Sequence, residues 1–172
     1  MSHHHPEKLD PSGATPNARW HIRPACKADI QALVALRRAL FESMGYDDPV
    51  LLDRMAEASA RYFAVSLPRG EFRAWVAEAD GDIVASGGLV IHSVPPTAYN
   101  LAGQEGYIMN MYTQPQWRRQ GIGTAILRAI LDYLREQGIS LVSLHATPDG
   151  QQLYERQRFK SSNEMRLRLE PM

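Results

Sequence analysis

The sequence has one cysteine in 172 residues, Cys26, so an intramolecular disulfide and a thiolate zinc cluster are both excluded. It has no excess charge of either sign, since 19 Lys plus Arg balance 19 Asp plus Glu. That balance argues against a nucleic-acid binder driven by its overall field, and no nucleic-acid partner is expected. No apolar run approaches the roughly 20 residues that cross a bilayer, so no membrane partner is expected either. The N-terminal Met-Ser-His-His-His-Pro lacks the apolar core of a secretion signal, and a cytoplasmic location is expected.

What is present is the composition of an ordinary globular protein, 44% apolar and 22% charged. A chain of this length suits one domain and buries about two-thirds of its unfolded surface, so folding needs no covalent staple. Residues 1–18 are rich in His, Pro, Ser, Gly and Asn without apolar periodicity. They are expected to form a disordered N-terminal arm, leaving 19–172 as a single domain. His3, His4 and His5 can bind a metal weakly, but a tail or tag remnant is the reading their composition favours, and no metal site is expected.

Periodicity supplies the element order. Trp20 and Ile22 alternate in a short strand that ends at Pro24. Asp29 then reads as the N-cap of a helix carrying Ile30, Leu33, Val34, Leu36, Leu40, Phe41 and Met44, with Gly45 at its end. Asp48-Pro49 starts a second helix. Two strands, 72–79 and 83–91, flank the hairpin signal Asp80-Gly81-Asp82. Tyr107 to Thr113 predicts another strand, and Ile126, Leu127, Ile130, Leu131 and Leu134 form the stripe of an amphipathic helix closed by Gly138. A strand over 139–146, a short helix over about 150–156 and a last strand over 165–169 complete an α/β arrangement with a mixed sheet.

The chemistry lies in Tyr107-Ile108-Met109-Asn110-Met111-Tyr112-Thr113-Gln114-Pro115-Gln116-Trp117-Arg118-Arg119-Gln120-Gly121-Ile122-Gly123-Thr124. This is a strand, a turn, a basic loop and a helix start. Gly121 and Gly123 let a ligand approach the main chain. The helix start presents free N–H groups and the positive end of a dipole, and Arg118 and Arg119 add charge. Such a loop is a pyrophosphate cradle. The P-loop pattern is absent, and the dinucleotide fingerprint fails because Ile126 stands where a small residue is needed.

Arg-x-x-Gly-x-Gly in this setting resembles the acetyl-CoA loop of the GNAT superfamily of N-acyltransferases. Tyr107 to Arg118 is similar to the strand that precedes that loop in the family, and Leu153-Tyr154-Glu155-Arg156-Gln157-Arg158-Phe159 to a helix that follows about thirty residues later. The resemblance spans about Trp20 to Glu170. It implies an α/β GNAT fold: a mixed, mostly antiparallel sheet flanked by helices and splayed between strands 4 and 5. It implies acetyl-CoA as cosubstrate, with no metal, held by Arg118, Arg119, Gln120, Gly121, Ile122, Gly123 and Thr124, by the main chain at Met111 and Thr113, and by Tyr154. It also implies Tyr154 as the catalytic acid at the thioester sulfur, and a carbonyl-polarising N–H near Met111 or Tyr112. Three positions depart from the family pattern: Arg158 replaces a glycine, Thr147 an asparagine, and Met109 a glutamate that serves some members as base.

Glu105, His145, His92 and water are therefore the candidates for the base, and Asp47-Asp48 borders the region where the family binds its acceptor. The expected activity is transfer of an acetyl group to a primary amine of a small molecule or peptide, by direct attack with both substrates bound. The alternative is a non-catalytic acyl-CoA sensor or docking module on the same fold. A homodimer is compatible with either.

Overall fold

The structure, a computed structural model, describes residues 19–169; the arm expected over residues 1–18, with its three histidines, lies outside them. Five strands form one sheet in the order β1 (Trp20–Pro24), β2 (Phe72–Ala79), β3 (Asp82–Ser93), β4 (Gln104–Thr113) and β5 (Leu141–Leu144). Neighbours are antiparallel except β4 and β5, which run parallel. The β2–β3 hairpin turns through Asp80 and Gly81, with φ of 52° and 88°, as a two-residue turn matched to strand twist requires.

The two faces of the sheet follow from the period-two alternation of β2. Phe72, Ala74 and Val76 pack with Leu33 of α1 (Ile30–Ser43) and Phe63 of α2 (Pro49–Arg69). Trp75, Ala77 and Ala79 point to the other face, into the core built on α3 (Ile122–Glu136). The whole predicted stripe of α3 is buried there. Each such Ile or Leu contributes about 1.5–3 kcal/mol through burial. Gly87 lets α3 come close, because a Cβ there would sit 2.6 Å from Ile126 and 2.5 Å from the Met111 sulfur.

Helix starts divide in their chemistry. Asp48 caps α2 as expected, accepting from the N–H groups of Val50 and Leu51 at 2.9 and 3.1 Å. Asp29 does not cap α1 with its side chain. Its carboxylate turns back to accept the Cys26 N–H at 2.7 Å and both terminal nitrogens of Arg23, at 2.7 and 2.9 Å. A bidentate charge-assisted pair outcompetes a helix N–H for the same oxygens. The Arg23 guanidinium holds the Asp29 carboxyl down at about 2. The unfolded carboxyl titrates near 4, so this stabilisation is complete above about pH 4 and is lost as the pH falls towards 2. The expected result is that parent and Asp29→Asn differ in denaturant midpoint at about pH 6 and converge near pH 2. A gap that persists undiminished at the acid end contradicts it.

The strand expected over 139–146 is shorter, and the one expected over 165–169 does not form. Residues 159–169 carry no regular element, and Met165, Leu167 and Leu169 are 93, 80 and 83% exposed. Alternation supplies an apolar face but no backbone partner, and the four-residue edge strand β5 does not take a further strand on its outer side.

Candidate functional site

The site is organised by a parting of two strands. β5 pairs with β4 only from Glu105 to Ile108 and stops at Leu144, whereas β4 runs on to Thr113. On its other side β4 carries a bulge: between the pairs Ser86–Tyr112 and Gly88–Met109 it has one residue more than β3. Asn110 absorbs the extra length at φ 55°, a left-handed conformation that asparagine tolerates better than most residues. The strand thus leaves the sheet's regular path where its neighbour ends, and opens a cleft.

β4 leads into the basic loop. Pro115–Trp117 form a 3-10 turn, Arg119 and Gly121 take φ of 60° and 82°, and Gly121 is the N-cap of α3. The first helical bond runs from the Ala125 N–H to the Gly121 carbonyl, so the N–H groups of Ile122, Gly123 and Thr124 come before it and are free at the helix start. A Cβ on Gly121 would meet nothing within 4 Å, so the helix start is open at this residue. No acidic residue lies between Gln114 and Thr124. Ile122 itself is buried in the core on which α3 packs. Arg118 is held by the Thr113 carbonyl at 3.0 Å and lies over the Tyr112 ring at 5.5 Å; that carbonyl is therefore engaged by the protein itself. Gln120 donates to the Gln116 carbonyl at 3.3 Å. The free amides, the two arginines and the open space fit a pyrophosphate, and the unpaired side of β4 beyond Ile108 fits an extended arm.

A cavity of about 300 Å³ lies beside this cleft, between α1, β4, the chain after β5, and α4 (Gln151–Arg156). Tyr154 lines it and is only 8% exposed, with its ring edge-on to Phe159 at 5.9 Å. Burial without a compensating hydrogen bond pushes its phenol up to about 12, so it stays protonated at neutral pH. Thr147 anchors α4: its carbonyl accepts from Gly150 and Gln151, and its hydroxyl from Gly150 at 3.3 Å. Arg158 adopts φ 68°, so the turn keeps a left-handed residue at a cost of about 1–2 kcal/mol relative to glycine. The cradle and the phenol are neighbours, because a Cβ on Gly123 would lie 3.5 Å from Leu153.

The candidate bases separate. His145 and Met109 line the cavity, whereas Glu105 and His92 do not; those two face each other as the pair His92–Glu105 in the β3–β4 ladder. The His145 ring is engaged by the Tyr107 hydroxyl at 2.6 Å and by Arg166. Asp47 and Asp48 are also absent from the cavity wall. Sequence reasoning singled out neither Arg37 nor the bulge at Asn110. Arg37 nonetheless falls between Val34 and Leu40 on the apolar stripe of α1, and a cation on such a stripe was the available signal. Among the described residues no group of three or more His, Cys, Asp or Glu converges on a metal position, and no helix is long and apolar enough to cross a membrane.

Comparison with known proteins agrees with this geometry. Residues 33–159 match the Acetyltransferase (GNAT) family. A GCN5-related N-acetyltransferase from Ralstonia eutropha JMP134 is 30% identical, with a TM-score of 0.81 over 87% of this chain and 98% of its own. A predicted acetyltransferase from Clostridium acetobutylicum, solved with acetyl-CoA, is also 30% identical, with a TM-score of 0.79 over 88% and 96%. Glucosamine-6-phosphate N-acetyltransferase from Arabidopsis thaliana shares the fold at 16% identity, with a TM-score of 0.65 over 87% and 97%. A search of curated protein sequences finds no match. The cleft, the cradle and these likenesses agree, and the chain belongs to the GNAT family of acetyltransferases, with acetyl-CoA as cosubstrate.

Proposed function

We propose that residues 19–172 form one transferase domain, acting in the cytoplasm, that moves the acetyl group of acetyl-CoA directly onto a primary amine of a small molecule or peptide. The observation that carries this reading is that the Tyr154 phenol lines the cavity beside β4 while the loop that follows the same strand ends at Gly123, next to Leu153 of the helix that bears Tyr154. Acetyl-CoA supplies the activated acyl group as a thioester. The amides at the start of α3, with Arg118 and Arg119, bind its diphosphate, and the main chain of β4 at Met111 and at the Thr113 N–H, whose carbonyl Arg118 already holds, aligns its arm. Tyr154 gives its proton to sulfur as the C–S bond breaks. The amine's proton passes to water or to His145, the one imidazole on the cavity wall, whose ring the Tyr107 hydroxyl and Arg166 already engage.

Direct attack is favoured because, among the described residues, no cysteine or serine lines the cavity and the one aliphatic hydroxyl there, Thr147, is held by the Gly150 N–H; Cys26 is exposed before α1 and does not line it. Holding both reactants together lowers the barrier chiefly through proximity. Initial rates measured against both substrates should therefore give intersecting double-reciprocal lines. Parallel lines, with acetyl recovered on the protein, indicate a covalent intermediate and overturn direct transfer.

A further inference from the structure

The cavity that receives the acceptor has a cation in its wall and, among the described residues, no carboxylate. Its lining includes Arg37 and His145 but none of the described Asp or Glu. Arg37 differs from the other arginines around α1. Arg23 pairs with Asp29 and Glu78, and Arg38 with Glu42 and Asp53. Among the described residues Arg37 meets only neutral partners: Nε donates to the Ser59 hydroxyl at 3.1 Å, one terminal nitrogen donates to the Asn110 side-chain oxygen, and the guanidinium lies over the Phe41 ring at 4.9 Å.

These three contacts fix the guanidinium without neutralising it. Burial weighs most against its charge, offset by the Tyr62 phenol and by no carboxylate. Asn110 reaches it from the bulge of β4, so the feature that opens the cleft also orients the arginine. No side-chain nitrogen sealed from solvent lacks a partner among the described residues, so the second terminal nitrogen of Arg37, which makes no side-chain bond, keeps access to solvent. A fixed, partly desolvated guanidinium with spare donors is the arrangement that binds a carboxylate or phosphate through paired hydrogen bonds. Arg166, outside the cavity lining but in contact with His145, adds a second positive charge behind that wall. A polycationic acceptor would meet these charges with no carboxylate to balance them.

We infer that the acceptor is an amine that also bears an anionic group, a carboxylate or phosphate, seated on Arg37 so that its amino group is directed towards the thioester beside Tyr154. This inference rests on the transfer reading above and narrows its substrate class. Polyamines and aminoglycosides are disfavoured, while amino acids, peptides with a nearby carboxylate and phosphorylated amino sugars are favoured.

The test pairs acceptors that differ only in the anion: L-phenylalanine with phenethylamine, and glucosamine 6-phosphate with glucosamine, with spermidine as a polycation. Thiol release should favour the anionic member of at least one pair by about tenfold or more in kcat/KM. In Arg37→Gln that gap should close, mainly through KM, while acetyl-CoA affinity stays at the parent value. A second arm needs no turnover: N-acetyl-L-phenylalanine and N-phenethylacetamide are titrated calorimetrically into the CoA-saturated protein, in parent and variant. Equal or better use of the neutral members or of spermidine overturns the inference and leaves acetyl transfer standing. So does an anion preference that survives in Arg37→Gln. Arg37-dependent binding of the N-acetyl acid without turnover of any amine overturns the transfer reading and leaves the anion site standing. Neither turnover nor Arg37-dependent binding overturns both.

Discussion

Tyr154→Phe is expected to transfer acetyl about 10²- to 10⁴-fold more slowly in a single turnover, with acetyl-CoA affinity nearly unchanged. The substitution keeps the ring, and with it the edge contact to Phe159 and the fit between α4 and the core. Only the hydroxyl is lost, and that hydroxyl makes no hydrogen bond that shifts its ionisation. A phenol held near 12 is protonated across the physiological range and so has a proton to give. The same dry surroundings raise the proton affinity of a departing thiolate, which keeps the transfer feasible although the phenol is a weak acid. The loss should appear in kcat rather than KM, because the interaction strengthens only as charge develops on sulfur. Single-turnover measurement removes product release as a mask. Transfer at the parent rate means that water or another donor protonates the sulfur.

Gly121→Val should weaken acetyl-CoA binding by about 100-fold or more, through two causes acting together. The residue sits at φ 82°, where a β-branched side chain is strained, and its side chain would fill the open space at the N-cap of α3. Because that space holds no protein atom within 4 Å, the valine meets no core side chain and the protein should still fold. The strain should lower stability by about 1–2 kcal/mol, which a thermal melt registers separately from affinity. Calorimetric titration with acetyl-CoA reads the effect. Parent-like affinity in a folded variant removes the pyrophosphate from this loop.

Helix α3 shows what was legible in the sequence: its stripe, its glycine start and its end before Gly138 are local patterns, and all appear as read. The β2–β3 hairpin is equally local, because two positive φ values fall on Asp-Gly. Asp29 is different. Its spacing is that of a cap, but Arg23 lies across the chain turn and takes both oxygens, a competition that spacing does not reveal. The last strand failed for a related reason, since Met165, Leu167 and Leu169 alternate correctly yet strand formation depends on a partner edge. In the site, the 118–124 loop stood out because glycines and arginines at a helix start have a fixed local geometry, whereas Tyr154 stood out through the resemblance of 153–159 to the GNAT motif. Arg37 was hidden by distance: its partners are 22 and 73 residues away, and only the fold brings Ser59 and Asn110 to it. His145 separates from His92 and Glu105 only once the cavity wall is known.

The central claim is that this cleft performs acetyl transfer rather than serving as an acyl-CoA sensor. The most direct measurement mixes the protein with acetyl-CoA and the anionic and neutral amines named above, and follows free thiol while mass spectrometry weighs each amine. The account predicts that release of thiol matches formation of an N-acetylated amine, mole for mole, and depends on the protein. Acetyl-CoA bound tightly, with thiol release no faster than spontaneous hydrolysis for every amine, would contradict it and leave the sensor.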